Sequence, residues 1–81
     1  MLCKIPLVLT PQPEGGFTVT SPVLPELITE GDTAAEALEN VRDALAAVIE
    51  AYADTGRQLP PSVRQDAAEG PVWLETLVAT P

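Results

Sequence analysis

SPVLPELITEGDTAAEALENVRDAL, residues 21 to 45, contains the change of period on which the fold turns. Pro22 and Pro25 stiffen its first part, because each proline fixes its own φ and pushes the preceding residue toward extended angles. LPELITE, residues 24 to 30, reads as a strand with a proline inside its start. Gly31 permits a turn, and from Thr33 the period becomes helical. Leu38, Val41, Leu45, Val48 and Tyr52 recur at steps of three and four, while Glu36, Glu39, Asp43, Glu50 and Asp54 lie off that stripe. Thr33 and Glu36 have the spacing of a capping box, Asp32 adds negative charge near the helix N-terminus, and Gly56 is a natural left-handed cap at the far end. These signals predict a helix of about 22 residues and about 33 Å, against roughly 23 Å for a seven-residue strand. It must cover a sheet and overhang it.

Working outward, CKIPLVLT (residues 3 to 10) alternates Cys3, Ile5, Leu7 and Leu9 with Lys4, Pro6, Val8 and Thr10, the period of a half-buried strand. Pro6 cannot donate to a ladder, so this strand has edge character. PQPEGG has the composition of a hairpin loop, and FTVTS follows as a second strand with Phe17 and Val19 on one face. After the helix, RQLPPSVRQDAAEGP reads as a linker with a short helical turn around Val63 to Ala68, and VWLETLVAT as a last strand. There Val72, Leu74, Thr76 and Val78 share one face, and Trp73, Glu75 and Leu77 the other. Three strands, a helix and a strand make an α+β domain, β-β-β-α-β, with an antiparallel-type sheet packed on one long helix. The 81 residues fit one domain, residues 1 to 81, with no separate C-terminal DNA-binding domain expected.

Twelve acidic residues face four basic ones (Lys4, Arg42, Arg57, Arg64), for a net charge of −8 without any histidine. Phosphate backbones repel this balance, so no direct nucleic-acid binding by this chain alone is expected and a basic protein partner suits it better. Cys3 is the single cysteine, which precludes an internal disulfide or a thiolate cluster built from one chain. The N-terminus lacks the pattern of a signal peptide and no apolar run reaches membrane-spanning length, so a cytoplasmic protein without membrane association is the expectation.

Enzyme chemistry finds few parts. General base and nucleophile roles use histidine, cysteine, lysine or paired carboxylates in a protected pocket. Glu14, Glu26, Glu30 and Asp32 are close in sequence, and a regular third strand puts Glu26 and Glu30 on one face. Metal-dependent nuclease chemistry needs carboxylates converging from the core of a sheet, and the first strand supplies none. Gly15-Gly16 has neither the following helix nor the lysine of a phosphate loop. No catalytic, cofactor or metal site is expected. The prolines present Leu24 and its neighbours at little entropic cost, and they also blunt a sheet edge.

EGGFTVTSPVLPELITEGDTAAEALENVRDAL, residues 14 to 45, resembles the signature of the HicB antitoxin family. The matching positions are Glu14, Gly15 and Gly16, Phe17 and Val19, Pro22, Leu24 and Pro25, Thr29 to Thr33, then Glu36, Ala37 and Asn40; GRQLPPS after the helix is similar to the family's connection. The family commonly has Asp within Pro-Asp-Leu-Pro and Gly after it, where this chain has Val23 and Glu26. The resemblance implies a partial, RNase H-like fold without its catalytic carboxylates. It also implies a type II antitoxin that neutralises a basic, HicA-like, mRNA-cleaving RNase toxin by direct binding. The expected contact residues are Glu14, Ser21, Pro22, Leu24, Pro25, Glu26 and Glu30. A solitary regulatory or DNA-associated HicB-like protein is the alternative, and a residual metal-dependent nuclease a further one. The final strand shows more apolar surface than one helix covers, so a homodimer or higher homo-oligomer meeting through Trp73 and Leu77 is expected.

Overall fold

In the computed structural model, residues 2–65, 70–78 and 80–81 of the chain are described. The elements are β1 (Leu2–Cys3), β2 (Val8–Pro11), β3 (Phe17–Thr20), β4 (Ile28–Gly31), α1 (Ala34–Asp54) and β5 (Arg64–Gln65). β2, β3 and β4 form an antiparallel meander, and β1 pairs with β5 in a separate antiparallel ribbon. The α+β class and the single long helix agree with the sequence pattern.

The first strand is divided where Pro6 removes a ladder donor. Leu2 and Cys3 pair with Gln65 and Arg64, and Lys4 N–H donates to the Val63 carbonyl at 2.7 Å. Val8 to Pro11 run instead against Thr20 to Phe17. Their hairpin closes through Gln12 N–H on the Gly16 carbonyl at 3.0 Å, with Gly15 and Gly16 at φ of 98° and 80°. The third strand starts later than expected. Leu24 to Leu27 form a turn in which Leu27 N–H donates to the Leu24 carbonyl at 2.9 Å, with Pro25 in the position where its fixed φ suits a type I or II turn. The ladder therefore begins at Ile28.

Gly31 joins sheet to helix. A Cβ there would overlap the Ala37 backbone and lie 2.9 Å from the Glu36 carbonyl carbon, so only glycine lets β4 pass this close to the first helical turn. Thr33 caps that turn, its Oγ1 accepting the Glu36 N–H at 3.1 Å. At the other end Arg57 N–H reaches the Tyr52 carbonyl at 2.9 Å and Gly56 N–H the Ala53 carbonyl at 3.2 Å, with Gly56 at φ 70°. This is the paired bonding of a Schellman cap.

One face of α1 buries Ala37, Val41, Val48 and Tyr52 in a core with Val19, Leu24, Leu27 and Val63; Leu45 of the expected stripe is partly buried against it. At about 1.5 Å per residue the 21-residue helix outruns the four-residue strands. The Leu24–Leu27 turn and Val63, with Leu59 packed beside them, supply further apolar groups to that core.

Two expectations after the helix change. The turn at residues 61–63 leads into β5 rather than a continuing helix, and Asp66 to Ala68 of the proposed turn lie outside the described residues. The last strand is not formed across residues 72–78: Trp73 is 81% exposed, Leu74 70%, Leu77 61% and Val78 72%. Alternation gives that segment strand character, but a strand needs an edge to bond to, and among the described residues it pairs with none. No helix among the described residues is long and apolar enough to cross a membrane.

The tight joint makes a stability prediction. Gly31→Ala costs at least about 2 kcal/mol in urea unfolding because backbone must move, whereas Thr33→Ala, which loses one cap bond, costs about 1 kcal/mol.

Candidate partner-binding site

The proline segment is built from the core outward. Ser21 is buried and its Oγ accepts the Val23 N–H at 3.3 Å, which bends the chain into the turn. Leu24 and Leu27 both point into the core and are wholly buried. Leu24 is therefore corrected from a presented contact to a core residue: the proline at its C-terminal side makes a turn, not an extended rod, and the turn folds both leucines inward. Pro22, Pro25 and Glu26 remain on the exposed side.

Glu26 closes a clamp on the end of the helix. Arg57 Nη1 donates to Glu26 Oε1 at 2.9 Å, and Tyr52 Oη donates to Oε2, also at 2.9 Å. The guanidinium carbon of Arg57 stands 4.1 Å from the centroid of the Tyr52 ring, and Arg57 Nε donates to Thr55 Oγ1 at 3.1 Å. The bond of Glu26 to its own backbone N–H, then those from Arg57 and Tyr52, hold its carboxyl below the ordinary 4.5. The same carboxylate, with burial, raises the Tyr52 hydroxyl above the ordinary 10.0. Sequence reading missed this clamp. Tyr52 belonged to the apolar stripe and Arg57 to the linker, and only folding brings them to a residue 26 and 31 positions away.

Glu30 belongs to the opposite end. Its backbone carbonyl accepts from Asn40 Nδ2 at 2.7 Å, near the helix N-terminus. The expected shared face of Glu26 and Glu30 does not form, because the turn ends before β4 begins. The contacts of the two acids on α1, Tyr52 and Asn40, are about 18 Å apart along the axis. Beside Glu30 lies an open cleft of about 240 Å³ whose lining includes Gln12, Gly15, Gly16, Asp32, Glu36 and Asn40. Glu14 sits exposed in the hairpin. Among the described residues the lining includes three acidic residues and no basic one, so the cleft can receive a positively charged side chain. Among the described residues, no three Asp, Glu, Cys or His side chains converge as metal ligands.

No family model matches the chain. Among known proteins it is 41% identical over 77 residues to Antitoxin HicB 1 of Photorhabdus laumondii, covering 93% of this chain and 50% of that protein. Antitoxin HicB of Escherichia coli K12 is 40% identical over 57 residues, 70% of this chain and 41% of that one. UPF0150 protein Ta0767 of Thermoplasma acidophilum is 33% identical over 57 residues, 70% of this chain and 83% of that one. The chain belongs to the HicB family. It spans half the length, or less, of the antitoxins it matches. In this HicB-family chain the departure at Glu26 has a structural consequence, since glycine there could not form the clamp.

The clamp is pH-bounded on both sides. Glu26 is held lower in the fold than in the unfolded chain, so its contribution is present above pH 4.5 and lost as pH falls through the folded value. Tyr52 is held higher, so its contribution is present below pH 10.0 and lost as pH rises through its folded value. Carboxyl-detected NMR should show Glu26 titrating below 4.5. In Arg57→Ala that midpoint moves up only part of the way, because the backbone bond remains; an unmoved midpoint would mean the ion pair is not formed in solution.

Proposed function

We propose that this HicB-family chain is the toxin-binding portion of an antitoxin, and that it neutralises a basic HicA-like, mRNA-cleaving toxin by occupying it stoichiometrically. The observation that carries this reading is the 41% identity with a named HicB antitoxin across 93% of the chain. Charge supports it. A net −8 and an open cleft lined by Glu30, Asp32 and Glu36 suit a cationic protein whose own ligand is RNA.

The contact surface in this reading runs from Glu14 and Glu30 at the hairpin and helix N-terminus to Pro22 and Pro25 on the turn. Ser21, Leu24 and Glu26 have other work: the first two shape and bury the turn, and the third is engaged by Arg57 and Tyr52. They act on binding through the geometry of the loop. A binding protein needs no reacting groups, and this one acts without catalysis in a cytoplasmic complex.

Co-expression with a HicA-type toxin should restore growth and yield a copurifying complex. Reversing charge with Glu14→Lys and Glu30→Lys together weakens that complex roughly tenfold at low salt and less at high salt, as for rim charges that steer association. Rescue without any salt-dependent loss in the variant would move the contact elsewhere, and failure to bind or rescue would remove the antitoxin reading. The purified chain should leave RNA and RNA–DNA hybrids intact in Mg²⁺ or Mn²⁺. Hydrolysis that disappears with Glu14→Ala or Glu30→Ala would make it an enzyme instead.

A further inference from the structure

One face of the β2–β3–β4 meander joins the core, through Val19 and, packed beside it, Leu9 and Phe17. Strand alternation sends Val8, Thr10, Thr18, Thr20, Ile28 and Glu30 to the opposite face. The register sets them in two rows across the strands, Val8–Thr20–Ile28 and Thr10–Thr18–Glu30. Thr18, in the central strand, is half-buried, and the other five are exposed, Val8 at 50% and Ile28 at 64%.

An antiparallel sheet can turn one face to water, and such a face is ordinarily polar. This one has a different composition. Five of its six residues are β-branched, with χ1 restricted, and Glu30 alone is charged. Side chains already held to few rotamers lose little entropy when a partner covers them. Neighbouring strands lie about 4.8 Å apart, so Val8 and Ile28 set two apolar groups about 10 Å apart with the Thr20 methyl between them.

The surroundings of the face say what kind of surface fits it. β3 runs from the hairpin at Phe17 to Thr20, and Ser21 and Pro22 follow at once. Glu30 belongs both to this face and to the cleft with Asp32 and Glu36. The face thus lies between the hairpin carboxylates and the proline turn. None of the four basic residues is in β2, β3 or β4, and Lys4, the nearest along the chain, donates its N–H to the Val63 carbonyl beside the β1–β5 ribbon. A second copy of this face would bring Glu30 and no cation to meet it. A cationic surface that also carries apolar side chains satisfies the carboxylate and the apolar row together.

We propose that this outer sheet face is the central contact for the cationic toxin, with an apolar patch of the toxin on Val8, Thr20 and Ile28 and a basic side chain beside that patch on Glu30. The placement, which rests on the antitoxin reading, carries the contact from Glu14 and Glu30 across the sheet to Pro22 and Pro25.

Binding of the full chain to a purified HicA-type toxin tests it. Thr20→Lys combined with Ile28→Lys puts two cations on the face at exposed positions, and Ala46→Lys combined with Ala47→Lys adds the same charge at exposed positions of α1. The sheet pair is expected to weaken the complex by on the order of tenfold or more and the helix pair by less than about threefold, with circular dichroism of both like that of the unaltered chain. In methyl NMR a soluble paramagnetic agent should broaden Val8 and Ile28 in the free chain and spare them in the complex. A toxin held as tightly by the sheet variant, equal weakening by the helix variant, or Val8 and Ile28 already shielded in the free chain would each overturn this surface and leave the antitoxin reading in place. No complex with the unaltered chain would overturn both.

Discussion

The close passage of β4 over the first turn of the helix is the constraint on which the rest of this structure depends. It exists because Gly31 has no side chain to place against Ala37. Gly16 meets the same joint from the other side: its own φ is positive, and a Cβ on it would lie 2.9 Å from the Gly31 carbonyl oxygen. Hairpin, last sheet strand and helix start are thus locked at one corner, where Thr33 and Asn40 satisfy backbone groups that would otherwise be left open. Small residues at the corner let a short sheet and a long helix share one core.

The length mismatch between helix and strands sets the second requirement. Four-residue strands cannot cover a 21-residue helix, so other apolar groups must pack on its distal part. The turn at residues 24–27 contributes Leu24 and Leu27, and the connection after the helix contributes Val63. The Glu26–Arg57–Tyr52 clamp ties that turn to the helix end. An exposed ion pair contributes little by itself. Here its effect is positional, since it holds the proline loop in one place while Pro22 and Pro25 stay outside.

Charge is unevenly distributed over the molecule. Carboxylates gather around the cleft at Glu30 and along the helix, while the stretches 2 to 13 and 55 to 65 contain Lys4, Arg57 and Arg64 and no acid. The net charge of −8 is thus concentrated in some stretches of the chain and absent from others.

The helix was legible from the sequence because its determinants are local. The Thr33 to Glu36 spacing, the apolar steps to Tyr52 and the Gly56 cap act over one to a few turns, and the hairpin at Gly15-Gly16 is as local. The membership signal likewise lies in the order of residues along 14 to 45. What the sequence could not decide were events between distant residues. Pro25 was compatible with an extended strand or a turn, and burial of both Leu24 and Leu27 under the overhanging helix selected the turn. Glu26 and Glu30 looked like neighbours until the turn separated them, and the clamp joined residues with no shared local pattern. Alternation at residues 72–78 announces a strand, but a strand is completed by an edge, and which edge is available is a property of the assembled tertiary structure, because backbone bonding in a sheet is supplied from outside the segment itself.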